Sequence, residues 1–192
     1  MKRDCILLDV FTDTPFAGNQ LAVFPLADDL SFDQMQKLAN EINYSETTFI
    51  LNSPDAQADF DIRIFTPRSE MPFAGYPTLG TAYVLLNHLD VKLKNKSSIR
   101  LRTKVGIIPL VQSDGNIWMR QNDPEFWNIF EDKDIIAGLI GLKPGDISDA
   151  LPIEEVSTGN TILLIPIKSL SSVREATGIV NKIIDFLQIL IL

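Results

Sequence analysis

The chain has 192 residues, with 25 acidic side chains against 17 basic ones and a formal net charge of -8 at pH 7. That balance argues against nucleic acid, whose binding needs a basic stripe, and weakly against an anionic membrane surface. Hydrophobic residues make up 45%, enough for one large domain or two small ones, while a single Cys5 and a single His88 exclude an internal disulfide and the usual zinc ligand sets, so no metal is expected.

The elements follow in chain order. "CILLDVFTD" is expected as a first strand, with Cys5 a small buried hydrophobe and not a reactive thiolate. Asp9 interrupts its apolar run, so it does not resemble a signal peptide, and no stretch reaches the roughly 18 apolar residues of a membrane span. A cytoplasmic location is the expectation. "PFAGNQLAVF" predicts a turn and a second strand. "LSFDQMQKLANEI" is the clearest helix: Ser31 and Gln34 have capping-box spacing, and Met35, Leu38, Ala39 and Ile42 recur on one face. "ETTFIL" and "FDIRIFTP" read as strands.

Next comes "SEMPFAGYPTLGTAYVLL", which prepares a helix with care. Pro77 suits a first helical turn, and the helix after it is apolar on most sides, the mark of a buried helix. Gly80 and Ala82 would let a sheet approach closely. Beyond residue 90, "SIRLRTKVGIIPLVQ", "SDGN" and "IWMRQ" predict an antiparallel meander with a Gly-containing turn. "DKDIIAGLIGL" predicts a helix, "EEVSTGNTILLIPI" a strand pair or bent strand, and "SLSSVREATGIVNKIIDFLQ" one further helix. The apolar end "IIDFLQILIL" is too short to span a membrane. Few helices, short strands and no strand–helix alternation predict an α+β fold.

Chemistry has few places to sit. Glu46 opens the "ETTFIL" strand, where Glu46, Thr48 and Ile50 share one face. A partly desolvated carboxylate there suits general acid or base work, and a solvated loop glutamate is the plainer alternative. The "AGYPTLGTA" helix start offers unpaired amides to an anion, and Gly75 permits close approach; simple helix capping is the alternative. Asn19 could present its amide to a ligand or make an Asx-type turn. The Ser157, Thr158, Gly159 turn is another polar loop. No nucleotide-binding loop or catalytic triad can be assembled.

"DVFTDTPFAGNQLAVF", "MQKLANEINYSETTFIL", "IRIFTPRSEMPFAGYPTLGTAYVL" and "STGNTILLIPIKSL" occur in one order, over residues 4 to 170 approximately. In this the chain resembles the phenazine-biosynthesis PhzF-like family. The resemblance implies a diaminopimelate-epimerase-like fold of two lobes, each a curved, mostly antiparallel sheet around a central helix. Residues 1–114 would form the first lobe and 115–192 an incomplete second lobe. It implies a cofactor-independent isomerase acting on a small carboxylated metabolite by a proton shift in the cleft between the lobes, with Glu46 as acid/base. Asn19, Gly75, Tyr76 and Thr78 would contact the substrate. The family commonly reads G-H-P-T where this chain has Gly75-Tyr76-Pro77-Thr78. Tyr76 replaces a histidine that handles protons, which implies altered chemistry or substrate choice. The D-P-x-T-G-S-A-like segment that family chains carry further on is not found. A non-catalytic binding or scaffold protein is therefore the alternative expectation, and a shortened gene product a third. A homodimer is expected, since an incomplete lobe must cover apolar surface.

Overall fold

The computed structural model describes residues 2–89, 93 and 96–190. Two compact units divide it, Met1–Asn122 and Asp123–Leu192.

The first unit runs β1 (Ile6–Val10), β2 (Asn19–Phe24), α1 (Phe32–Ile42), β3 (Glu46–Asn52), β4 (Phe60–Phe65), β5 (Glu70–Met71), α2 (Gly75–Asn87), β6 (Ser98–Thr103), β7 (Gly106–Ser113) and β8 (Asn116–Met119). The strands form one sheet in the order β1-β2-β3-β4-β6-β7-β8, with β5 beside β4. Pairing is antiparallel except for β2–β3 and β4–β6. Helix α2 touches strands at both ends of that order, β1 and β8, as well as β2, β3 and β6, so the sheet curls around it.

Burial on nearly every side explains the apolar sequence of α2: Pro77, Thr78, Gly80, Thr81, Ala82, Val84 and Leu85 are all buried. Gly80 is required for that fit. A Cβ there would lie 2.6 Å from Leu21 Cδ2 and 2.9 Å from Val10 Cγ2. The inner core joins Leu21, Val23, Ile50 and Ile64 from the sheet to Val84 and Leu85.

On the outer face, α1 covers Phe24, Phe49 and Phe65 with Met35 and Ala39. Ser31 accepts from the Gln34 amide and Gln34 accepts from the Ser31 amide, the reciprocal cap expected from the sequence. The β7–β8 turn holds Asp114 and Gly115 at φ 52° and 77°, the primed-turn geometry of a tight hairpin. A division after residue 114 falls inside this hairpin. Because β8 pairs with β7, the first unit extends to Asn122.

The second unit contains β9 (Glu125–Ile129), α3 (Lys133–Leu139), a 3-10 turn (Pro144–Asp146), β10 (Glu154–Ser157), β11 (Thr161–Leu164), α4 (Leu170–Glu175) and α5 (Val180–Leu190). Its sheet is antiparallel in the order β11-β10-β9. Ile136, Ala137, Leu139, Ile147 and Ile153 make its core, joined by Ile183 and Phe186 of α5. The final helical stretch differs from the single helix expected. Ala176 turns extended, the Thr177 amide donates to the Ile140 carbonyl at 2.9 Å, and the Ile179 amide donates to the Leu139 carbonyl at 2.7 Å. Carbonyls left over at the end of α3 thus hold the chain out of helix, at a point where Gly178 weakens helix continuation. Strand β9 is exposed along its whole length and carries no alternation that would announce it.

Candidate active site

Glu46 is the first residue of β3 and pairs in parallel register with Leu21 of β2. The pleat places Thr48 and Ile50 on its face: the Thr81 hydroxyl of α2 donates to Thr48 Oγ1 at 2.9 Å, and Ile50 enters the α2 core. The face read from the sequence is therefore the face that meets α2. Glu46 is half-buried at its rim.

Tyr76, the second residue of α2, closes the arrangement. Its hydroxyl donates to Glu46 Oε2 and also lies 3.4 Å from the Gln20 carbonyl of β2. Burial, followed by the hydrogen bond and negative charge of Glu46, pushes the Tyr76 phenol far above its ordinary range. It is a neutral donor at any physiological pH. The Phe11 ring packs against it, with centroids 6.3 Å apart.

The start of α2 is built from Ala74, Gly75 and Tyr76. Ala74 occupies the N-cap position and makes no side-chain cap bond. The nearest atom to a Cβ built on Gly75 would be Gln121 Nε2, 3.9 Å away. Amides at a helix start carry partial positive charge and receive anions. Pro77 has no N–H to contribute. Thr78 sits differently: it is fully buried, and its hydroxyl donates to the Ala74 carbonyl at 2.7 Å, within the helix. Asn19 is exposed at the start of β2.

The loop between β1 and β2 has its own order. Asp9 accepts from the Phe16 amide at 2.8 Å. Phe11 and Phe16 both adopt φ 66°, an unusual conformation for bulky residues. Gly18 lies so close to β1 that a Cβ would stand 2.3 Å from the Val10 carbonyl oxygen. Phe11 and the Gln20 carbonyl are the parts of the site that residue patterns did not reveal. A backbone acceptor leaves no mark in sequence, and Phe11 reads there as the end of a strand.

A cavity of about 930 Å³ lies between β1, the Leu79, Gly80 and Tyr83 side of α2, and the start of β8. Glu46 does not line it. His88 does, as an exposed residue capping α2 with its ring 5.2 Å from that of Tyr83. Cys5 is half-buried beside the α1 cluster, and burial pushes its thiol up, away from reactive thiolate character. In the second unit, Ser157 accepts from the Gly159 amide at 3.1 Å. Among the described residues, no group of three or more His, Cys, Asp or Glu is placed to hold a metal ion, and no helix is long and apolar enough to cross a membrane.

Comparison with known proteins decides the family. The model of the phenazine biosynthesis-like protein family matches residues 8–187. The chain belongs to the phenazine biosynthesis-like family. Within it, the chain is 37% identical to an uncharacterized isomerase of Pasteurella multocida, over 88% of its own length and 56% of that protein's. It is also 37% identical to the trans-2,3-dihydro-3-hydroxyanthranilate isomerase of Pseudomonas aeruginosa, over 87% of this chain and 58% of that protein. The chain thus spans under two thirds of these phenazine biosynthesis-like relatives. A crystal structure of a PhzF-family protein of Bacillus anthracis matches with a TM-score of 0.78 and 34% identity, covering 93% of this chain and 60% of that one. A hydroxyproline epimerase of Agrobacterium vitis, 13% identical with a TM-score of 0.54, shares the fold alone. The α+β, epimerase-like architecture is the family's.

Proposed function

We propose that this phenazine biosynthesis-like chain serves a cofactor-independent isomerase of a small carboxylated metabolite. Glu46 removes a proton from one carbon of the substrate and delivers one to another, the carboxyl proton exchanging with water in between, so that no proton is gained or lost overall. The uncapped start of α2, with Gly75 in front, receives the substrate carboxylate, and Asn19 contributes an amide beside it. The observation that carries this reading is the half-buried Glu46 carboxylate bonded to the second residue of that helix start. The name of the Pseudomonas relative supports it, since a dihydro-hydroxyanthranilate carries the carboxylate such a site would hold. A homodimer is part of the proposal, motivated by the exposed Val180, Ile184 and Leu187 of α5. Sedimentation at several concentrations checks it, and a monomer throughout removes it.

The deciding experiment follows deuterium incorporation from heavy water into trans-2,3-dihydro-3-hydroxyanthranilate. Glu46→Gln is expected to lower the rate by about 10²–10⁴-fold, the usual worth of a positioned acid/base, with the circular dichroism spectrum unchanged. Equal rates in the two proteins remove Glu46 from the chemistry. A second reading, a non-catalytic binder, is favoured by one feature: the Glu46 carboxylate is already bonded to a phenol that holds its proton tightly. Calorimetric binding of the same compound without deuterium incorporation selects that reading.

A further inference from the structure

We propose that Tyr76 is a positioning residue for Glu46, its hydroxyl set between Oε2 and the Gln20 carbonyl and donating to Oε2, so that Oε1 is left to carry the substrate proton. The inference rests on Glu46 being the proton carrier, as proposed above. Two acceptors lie within reach of one hydroxyl, Glu46 Oε2 and the Gln20 carbonyl at 3.4 Å. A phenol has a single proton to donate. Oε2 accepts it both as a carboxylate oxygen and as the carbonyl oxygen of the acid, while the substrate proton sits on Oε1 and the Gln20 carbonyl holds the hydroxyl in place. No atom is exchanged with Tyr76. The substrate proton moves from carbon to Glu46 and from Glu46 to carbon, and the tyrosine begins and ends neutral.

The surroundings favour such a device. Among the described residues, Glu46 is the titratable group set against the phenol. The phenol also meets the Gln20 carbonyl from β2 and the Phe11 ring from the loop after β1, both uncharged. The phenol keeps its proton because it is buried beside a carboxylate, so it can hold that carboxylate in place but cannot itself carry charge away. One consequence is geometric: with Oε2 engaged by Tyr76, the proton transfers fall to Oε1. A second is an assignment. A tyrosine at this position does not replace a histidine as proton shuttle; it fixes the carboxylate that performs the shuttling.

The test has two arms. In the first, near-ultraviolet absorbance follows phenol ionisation in wild type, Glu46→Gln and Tyr76→Phe. The chain has three tyrosines, Tyr44, Tyr76 and Tyr83. Wild type is expected to show one phenol ionising above the ordinary range, missing in Tyr76→Phe and returned toward that range in Glu46→Gln. A phenol that ionises identically in wild type and Glu46→Gln overturns the proposal, whether or not the protein is active. In the second arm, deuterium incorporation into trans-2,3-dihydro-3-hydroxyanthranilate is measured across pH. Tyr76→Phe is expected to lower kcat by about tenfold to a hundredfold, as for a misplaced catalytic group, and to leave KM nearly unchanged. A raised KM with kcat retained overturns positioning and makes Tyr76 a substrate contact. Absence of incorporation by wild type removes the isomerase reading instead, and the absorbance arm alone then decides whether Glu46 and Tyr76 act as a pair.

Discussion

At the scale of single residues, the pairing of Tyr76 with Glu46 makes a prediction about stability that needs no substrate. The folded chain holds the Tyr76 phenol protonated above the ordinary tyrosine value, first through burial and then through Glu46. A group whose value is raised on folding gives stability that is complete below its unfolded value, near 10 for tyrosine. That stability is lost as pH rises from there toward the folded value. Tyr76→Phe removes the titrating group along with its bond to a partly exposed carboxylate, at an expected cost of about 1 kcal/mol at neutral pH. Urea unfolding of the two proteins is therefore expected to show wild type ahead at about pH 8, with the gap closing by about pH 11. A gap that stays constant or widens over that interval contradicts the arrangement at Tyr76.

The next scale is that of the elements, where the β1–β2 loop determines how the site is framed. It delivers Phe11 to the Tyr76 ring and Gln20 to the Tyr76 hydroxyl. Its tight return depends on Gly18, whose missing Cβ would collide with the Val10 carbonyl oxygen at 2.3 Å. Backbone gives way less easily than the end of a side chain, so Gly18→Ala is expected to cost about 1–3 kcal/mol, the usual range for overpacking. Measured by thermal unfolding, a neutral effect would show that the loop moves freely. By contrast, Ser31→Ala is expected to cost about 1 kcal/mol through loss of the α1 cap without touching the site. Elements with a local cause were legible in the sequence. The α1 cap, the β7–β8 turn and the apolar α2 each depend on neighbouring residues and their chemistry. What escaped depends on distant partners. The α4–α5 break is held by carbonyls at the end of α3, and β9 has no buried face to leave a pattern. The site divides in the same way: Glu46 and Tyr76 are named by motif, while the hydroxyl's second acceptor is main chain. Thr78, a motif residue, turns its hydroxyl into its own helix.

Across the whole molecule, an excess of acid coexists with carboxylates committed to cations, and Glu70 is the most consequential for the site. Its side chain is 5% exposed and receives two bonds from Arg63, at 2.7 and 2.8 Å, and a third from Lys104 at 2.5 Å. The Arg63 guanidinium also lies over the Phe32 and Phe65 rings, 5.2 Å from each centroid, so one cation ties α1, β4 and β5 together. Strand β5 leads directly into the loop before Gly75, and through it Glu70 fixes the approach to Tyr76. Burial by itself would raise the Glu70 value, but Arg63 and Lys104 outweigh it and hold the carboxyl below the usual range. Asp59, beside the Arg100 amide and Lys96, and Asp61, beside Arg102, are held down against burial in the same way. Values depressed on folding give stability that is present above the unfolded carboxylate values, near 4, and lost as pH falls through the folded ones. The chain is thus expected to hold its full stability above about pH 5 and to lose it progressively below about pH 4. Glu70→Gln should cost about 2 kcal/mol at neutral pH, since it leaves Arg63 and Lys104 without their anion. The difference from wild type should shrink toward about pH 3, where Glu70 is itself protonated. Urea melts at neutral and acid pH test this directly. A Glu70→Gln deficit that persists undiminished in acid would mean that Glu70 acts through shape and not charge, and that the bridge from β4 to the α2 start does not depend on its ionisation.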